Sequence, residues 1–131
     1  ITIRLRAEAA PRTVNNFVHL ARQGFYDGLT FHRVVDGFVV QGGCPRGDGM
    51  GGPGYKFADE PVVGDYGAGS VAMANSGRDT NGSQFFISTA DNRGRLAKSY
   101  NLFGEVEDGM DVVRQLEVGD RMRSVSIAEE T

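Results

Sequence analysis

Two short runs of β-branched and aromatic residues meet at Asp36-Gly37 in the stretch Phe31 to Gly43 (FHRVVDGFVVQGG), and this feature most limits what the chain can become. Such runs on either side of an Asp-Gly pair spell a β-hairpin with a tight turn. Side chains alternate between the two faces of a strand. Alternation therefore puts Phe31, Arg33 and Val35 on one face and His32 and Val34 on the other. On the second run Val39 and Gln41 share a face, opposite Phe38 and Val40. Arg33 is the odd residue in an apolar run. Taken alone it reads as a sheet-face charge reaching into water. A second stretch, Gln84 to Ile87 (QFFI), has the same habit, because Gln84 and Phe86 also share a face. One arginine, two glutamines and a phenylalanine on otherwise apolar strands point to a shallow, polar-rimmed groove on a sheet.

The rest of the chain supplies more short strands and little helix. Ile1 to Arg6 alternates apolar and polar residues, as a half-buried strand does. Pro11 suits the first turn of a helix, Val14, Phe17, Val18 and Ala21 give it an apolar stripe, and Gly24 stops it. Cys44 to Gly54 is a glycine-rich loop. It contains a literal G-x-G-x-x-G at 47–52 (GDGMGG), but Pro53 and Gly54 follow at once and no helical period comes after, so a dinucleotide site is set aside. Residues 55–69 read mostly as loop, and 70–74 and 83–88 as strands around a turn. A charged loop over 91–99 leads to a strand over 100–106. A short helix over 109–116, with Met110, Val113 and Leu116 inward, precedes a last strand over 124–128. Nineteen glycines, about twice the ordinary share and without a period, suit many turns between short strands. Strands at such intervals with two helices imply a closed, mainly antiparallel barrel or a sandwich, in a single domain over 1–131.

Most chemistries lack their parts. With 14 basic against 17 acidic residues and a pI near 5.3 there is no electrostatic footprint for nucleic acid, which argues against an oligonucleotide-binding barrel. No apolar run is long enough to span a bilayer. A single cysteine, Cys44, excludes an internal disulfide and fits a reducing compartment. His19 and His32 have no metal-ligand spacing, and Asp79-Thr80-Asn81 fails as a calcium loop because Gln84 and Ala90 stand where glycine and glutamate are required. Cys44 has no base partner, no serine sits in a nucleophile elbow, and the apolar strands carry no paired carboxylates. His32 reads as a satisfied core or interface histidine. Residue types and spacing alone thus stop at a binding groove on a β-rich domain, with neither metal nor cofactor.

Five segments carry more than that: Phe31 to Gly43, Gly51 to Phe57 (GGPGYKF), Met73 to Asn75, Thr80 to Ile87 (TNGSQFFI) and Leu102 to Val106 (LFGEV). In order and spacing they resemble the cyclophilin family of peptidyl-prolyl cis–trans isomerases, the compact bacterial type most, from about Thr2 to the C-terminus. The resemblance implies a closed eight-stranded antiparallel barrel capped by two helices, with a proline-binding groove on its outer wall. It implies rotation about X–Pro bonds without covalent chemistry or cofactor. Family members usually carry a further strand before the one matching Ile1–Arg6, so the barrel is expected to lack that strand here and to show an open edge.

Carried over by position, Arg33 matches the catalytic arginine; Phe38, Phe86 and Leu96 match the walls of the proline pocket, and Gln41 and Gln84 its polar rim. Ala74 and Asn75 match the backbone that pairs with the substrate peptide. Four positions depart from the pattern. Tyr100 stands where many members have a substrate-binding histidine, Val39 where a methionine is common in the pocket wall, and Ser76 where alanine is usual beside the groove. Arg95 replaces the tryptophan of drug-sensitive members, which implies weakened cyclosporin binding. The implied partners are proline-containing peptides and unfolded or folding proteins, met by a cytoplasmic monomer. The alternative is a chaperone or scaffold module that holds proline segments with little catalysis. Arg33 argues against it, because pure binding gains little from a donor aimed at a twisted amide nitrogen.

Overall fold

In the computed structural model, which describes residues 1–129, six strands form one antiparallel sheet. They are β1 (Thr2–Leu5), β2 (Arg33–Val35), β3 (Val39–Gly42), β4 (Ser70–Met73), β5 (Phe85–Ser88) and β6 (Leu102–Asp108), in the spatial order β1-β6-β4-β5-β3-β2. Helix α1 (Pro11–Arg22) and the one-turn α2 (Met110–Val113) complete the elements.

Alternation along the strands divides the apolar residues into two clusters. Val40, Val71, Met73, Phe85, Ile87 and Phe103 face inward and pack with Phe17, Leu20 and Ala21 of α1. The Phe17 ring lies 5.3–5.6 Å from those of Phe85 and Phe103. Val39, Ala72, Phe86 and Leu102 form a second, outer cluster with Tyr66. Strands β4 and β5 are therefore buried on both faces, which is why they are apolar except for Ser70 and Ser88, whose hydroxyls bond each other at 3.1 Å.

Helix α1 begins at Pro11, as the sequence predicts, and Ala10 at its N-cap has no side-chain oxygen to offer. The need is met from a distance. The Glu60 carboxylate accepts the N–H groups of Arg12 and Thr13 at 3.2 and 2.7 Å and the Thr13 hydroxyl at 2.6 Å.

The expected closed barrel of eight strands is not what forms: among the described residues there are six strands, and the sheet is open. One open edge is β1, paired with β6 alone, beside a trough of about 910 Å³ between it and residues 126–129. This is the edge expected next to Ile1–Arg6. The strand predicted over 124–128 carries no ladder. Its alternation does reflect packing, since Val125 and Ile127 lie on the inner core, but the trough separates this segment from β1. The Val125 N–H is held instead by the Asp27 carboxylate at 2.9 Å. Helix α2 is shorter than predicted, although Val113 is buried and Met110 and Leu116 pack inward as expected.

Two corrections concern the hairpin. The turn holds three residues, Asp36 to Phe38, because Val35 pairs with Val39. Phe38 is thus a turn residue and escapes the alternation that would have sent it inward. Phe31 precedes β2 and lies in the inner core, away from the face that carries Arg33.

Candidate active site

Strand register sets four site positions abreast. Arg33 pairs with Gln41, Gln41 with Phe86, and Phe86 with Ala72, so one row of outward-facing residues crosses β2, β3, β5 and β4. Above this row lies a hollow of about 210 Å³ lined by Arg33, Phe38, Val39, Gln41, Ala74, Asn75, Phe86, Leu96 and Tyr100. Every one of these is a residue the sequence nominates. Ser76 and Gln84 line a neighbouring hollow of about 310 Å³, which shares Gln41, Ala74 and Asn75 with the first. The nominated residues are therefore assembled, in two adjoining depressions.

The polar rim is a chain of hydrogen bonds. Arg33 Nη1 donates to Gln41 Oε1 at 3.3 Å, and Gln41 Nε2 donates to Gln84 Oε1 at 3.2 Å. Gln84 Nε2 in turn donates to the carbonyls of Gly49 and Gly51, at 2.9 and 3.0 Å. The glycine loop that mimics a dinucleotide fingerprint is thus the anchor of this chain, a role its composition did not reveal. Arg33 itself is exposed and lines the hollow.

The apolar wall is assembled from three loops as well as the sheet. The guanidinium of Arg95 lies 4.8 Å over the Phe38 ring, and its Nη1 donates to the Gly37 carbonyl at 2.9 Å. Buried Asn92 donates from Nδ2 to the Phe38 carbonyl at 2.9 Å. Phe86 and Tyr100 meet edge to face, with centroids 5.4 Å apart. Ala74 keeps its N–H on the Gln84 carbonyl at 3.0 Å, and Asn75 Nδ2 donates to the Ser99 carbonyl at 2.8 Å, which fixes the backbone beside the hollow. Tyr66 and Asn92 are not nominated by the sequence. Both stand in segments with no hydrophobic period, and only their complete burial marks them.

Two groups behind the rim are electrostatically unusual. Burial, and next the charge of Arg33, hold the His32 imidazole below its ordinary pKa, with Asp48 opposing. His32 Nδ1 has no hydrogen-bond partner among the described residues, so this histidine is not the satisfied one expected. Burial raises the Cys44 thiol, but backbone N–H groups of the glycine loop, Gly51 first among them, outweigh it and leave its pKa lowered. Among the described residues no cluster of His, Cys, Asp and Glu could hold a metal ion, and no helix is long and apolar enough to cross a membrane.

A stability prediction follows from His32. The unfolded chain takes up its proton near pH 6.5, the folded protein only at lower pH. Between those values the unfolded state binds more protons, so stability falls as pH drops below about 6.5. Thermal melts from pH 7 to 5.5 at constant ionic strength should show a falling Tm, with a shallower fall for His32→Gln. Parallel slopes would remove His32 from the explanation.

Comparison with known proteins identifies the family. The family model described as cyclophilin type peptidyl-prolyl cis-trans isomerase/CLD matches residues 1–130. A peptidyl-prolyl cis-trans isomerase of Synechococcus elongatus is 52% identical over 130 residues, covering 96% of this chain and 89% of that protein. Peptidyl-prolyl cis-trans isomerase B of Bacillus subtilis is 48% identical over 129 residues, covering 97% and 90%. Among solved structures, a Cryptosporidium parvum cyclophilin type peptidyl-prolyl cis-trans isomerase, crystallised in the presence of the dipeptide ala-pro, superposes with a TM-score of 0.81. It is 33% identical, and the match covers 95% of this chain and 82% of that one.

Proposed function

The chain belongs to the cyclophilin-type peptidyl-prolyl cis–trans isomerases and catalyses rotation about X–Pro peptide bonds; from that premise we propose that Arg33 promotes the rotation as a hydrogen-bond donor to the prolyl nitrogen. The observation that carries this reading is the placement of Arg33, which is bonded to Gln41 and lines the 210 Å³ hollow together with Phe38, Phe86 and Leu96.

The unaided barrier is about 18–20 kcal/mol, and the planar amide owes it to resonance between nitrogen and carbonyl. Twisting removes that resonance, and the nitrogen becomes pyramidal and regains a lone pair. A donor aimed at the nitrogen therefore binds the twisted state better than either planar one, which is the condition for catalysis. Even about 10 turnovers per second needs on the order of 10³-fold acceleration, or about 4 kcal/mol. One charge-assisted hydrogen bond contributes about 1.5–3 kcal/mol. The aromatic and aliphatic walls of the hollow supply the remainder by stripping water from the dipolar planar amide. Arginine suits the position because it keeps its charge and holds its donors in a rigid fork.

Phe38, Val39, Phe86 and Leu96 hold the proline ring, the Ala74–Asn75 backbone pairs with the peptide, and Tyr100 closes the far side. Gln41 and Gln84 hold Arg33 in line, and Ser76 borders the preceding residues of the peptide. This seat takes an extended X–Pro segment, so the partners are proline-containing peptides and unfolded or folding chains. A protease-coupled isomerisation assay comparing the protein with Arg33→Ala tests the reading. Tight peptide binding without turnover would favour a holding module instead.

Arg95 bears on cyclosporin. It offers donors and a planar cation already stacked on Phe38, and no indole face. Weak inhibition is expected, and Arg95→Trp should strengthen it by about tenfold, the effect of one large apolar face at a pocket rim. Equal titration curves for the two proteins would count against that placement.

A further inference from the structure

We propose that Tyr66, which does not line the proline hollow, is a positioning residue that sets the hollow's far wall by clamping the peptide group of Tyr100. The inference rests on the isomerase reading of the same site and adds to it a residue outside the resemblance.

Tyr66 is 1% exposed, buried in the outer cluster beneath the hollow. Its hydroxyl donates to the Tyr100 carbonyl at 2.6 Å and accepts the Tyr100 N–H at 3.1 Å. Both backbone polar groups of one residue thus end on a single side-chain oxygen. Tyr100 precedes β6 and has no ladder of its own to fix it, so this pair of hydrogen bonds replaces a strand partner. Burial raises the pKa of the hydroxyl, which keeps the donor proton in place.

The same residue reaches the other walls. Its ring centroid lies 6.5 Å from that of Phe86 and 6.3 Å from that of Tyr100. Its backbone carbonyl accepts the Asn92 N–H at 2.8 Å. Asn92 then holds the Leu96 N–H at 3.2 Å and, through its side chain, the Phe38 carbonyl at 2.9 Å. Tyr100, Phe86, Leu96 and Phe38 are therefore each referred to Tyr66 by one or two contacts, whereas Arg33, β3 and the Ala74–Asn75 segment are held independently of it. A shift of its hydroxyl moves Tyr100 first, because the other links run through the backbone and the ring.

Tyr66→Phe removes only the hydroxyl and separates these links. Loss of one buried bond pair that acts on substrate seating should raise KM about fivefold, with kcat changed less than about twofold. In a Tyr100→Ala background the same substitution should change KM little, since the wall it positions is gone. An unchanged KM in folded Tyr66→Phe, or a full fivefold rise again in the Tyr100→Ala background, would overturn the proposal. Amide hydrogen exchange of the unaltered protein gives a second measurement that needs no variant. The Tyr100 N–H should be protected like the strand amides of β6, and rapid exchange there would equally refute the clamp. Arg33→Ala run in parallel keeps the two readings apart: its failure to lose activity would strike the mechanism, whatever Tyr66→Phe does.

Discussion

Arg33→Ala should lower kcat/KM by about tenfold to a hundredfold while the melting curve stays in place, the loss corresponding to one charge-assisted hydrogen bond of about 1.5–3 kcal/mol. The two halves of this expectation have separate structural grounds. Activity falls because no other cation among the described residues lines the hollow: Arg95 stands over Phe38, bound to the Gly37 carbonyl. Stability holds because the Arg33 side chain is exposed and its one side-chain bond, to Gln41 at 3.3 Å, lies at the surface. Arg33→Lys refines the test, since it keeps the charge and loses the fork, and should fall between the two. A fully active, normally melting Arg33→Ala protein would end the proposed mechanism, and a lowered Tm would assign Arg33 a structural share that the geometry denies it.

The largest loss of stability is expected at Gly43. Its φ is +91°, and a Cβ there would stand 2.6 Å from the Ser83 carbonyl oxygen and 3.0 Å from the Tyr26 ring. Neither neighbour can yield cheaply. The Ser83 carbonyl accepts the buried Tyr26 hydroxyl at 2.9 Å, and the Ser83 hydroxyl donates to the Gly43 carbonyl at 2.7 Å. Gly43→Ala combines backbone strain with overpacking and should cost about 3 kcal/mol or more, or about 10 °C or more in Tm for a domain of this size. Gly28→Ala is the control. Its φ is +82° but nothing lies within 4 Å of the added carbon, so only the backbone cost of about 1 kcal/mol applies. Similar losses at both positions would mean that the close approach at Gly43 relaxes without cost.

How far the sequence discloses this site depends on whether position is decided locally. Arg33, Gln41 and Phe86 are legible because strict alternation and one register put them in a single row. The inner face is legible for the same reason, through Val40, Phe85 and Ile87. Alternation misplaces Phe38, since a third turn residue shifts its face and nothing in Asp-Gly-Phe announces the longer turn. Tyr66 is hidden within a loop because its partners, Tyr100 and Asn92, lie about 30 residues on and leave no periodic trace. Residues 124–128 show the reverse error. Their apolar alternation does signal packing, but a strand also needs a neighbour within reach, and that is a property of the whole sheet. The glycine loop matches a sequence pattern whose meaning depends on a following helix, and its use here, as acceptor for Gln84, involves only its carbonyls.

The position of β2 in the sheet has a consequence for how this protein must be assayed. It is three residues long, stands last in the strand order and is held by β3 alone, so the segment bearing Arg33 belongs to the least protected part of the sheet. Such segments open locally at a free energy well below that of global unfolding. The inner core around Phe17, Phe85 and Phe103 contributes most to the cooperative melt, and it can stay intact while the edge frays. A calorimetric transition therefore certifies the scaffold and is nearly blind to the state of the edge that bears Arg33. Exchange rates of the amides of Arg33 to Val35 are the quantity that reports whether the proposed donor is held in place.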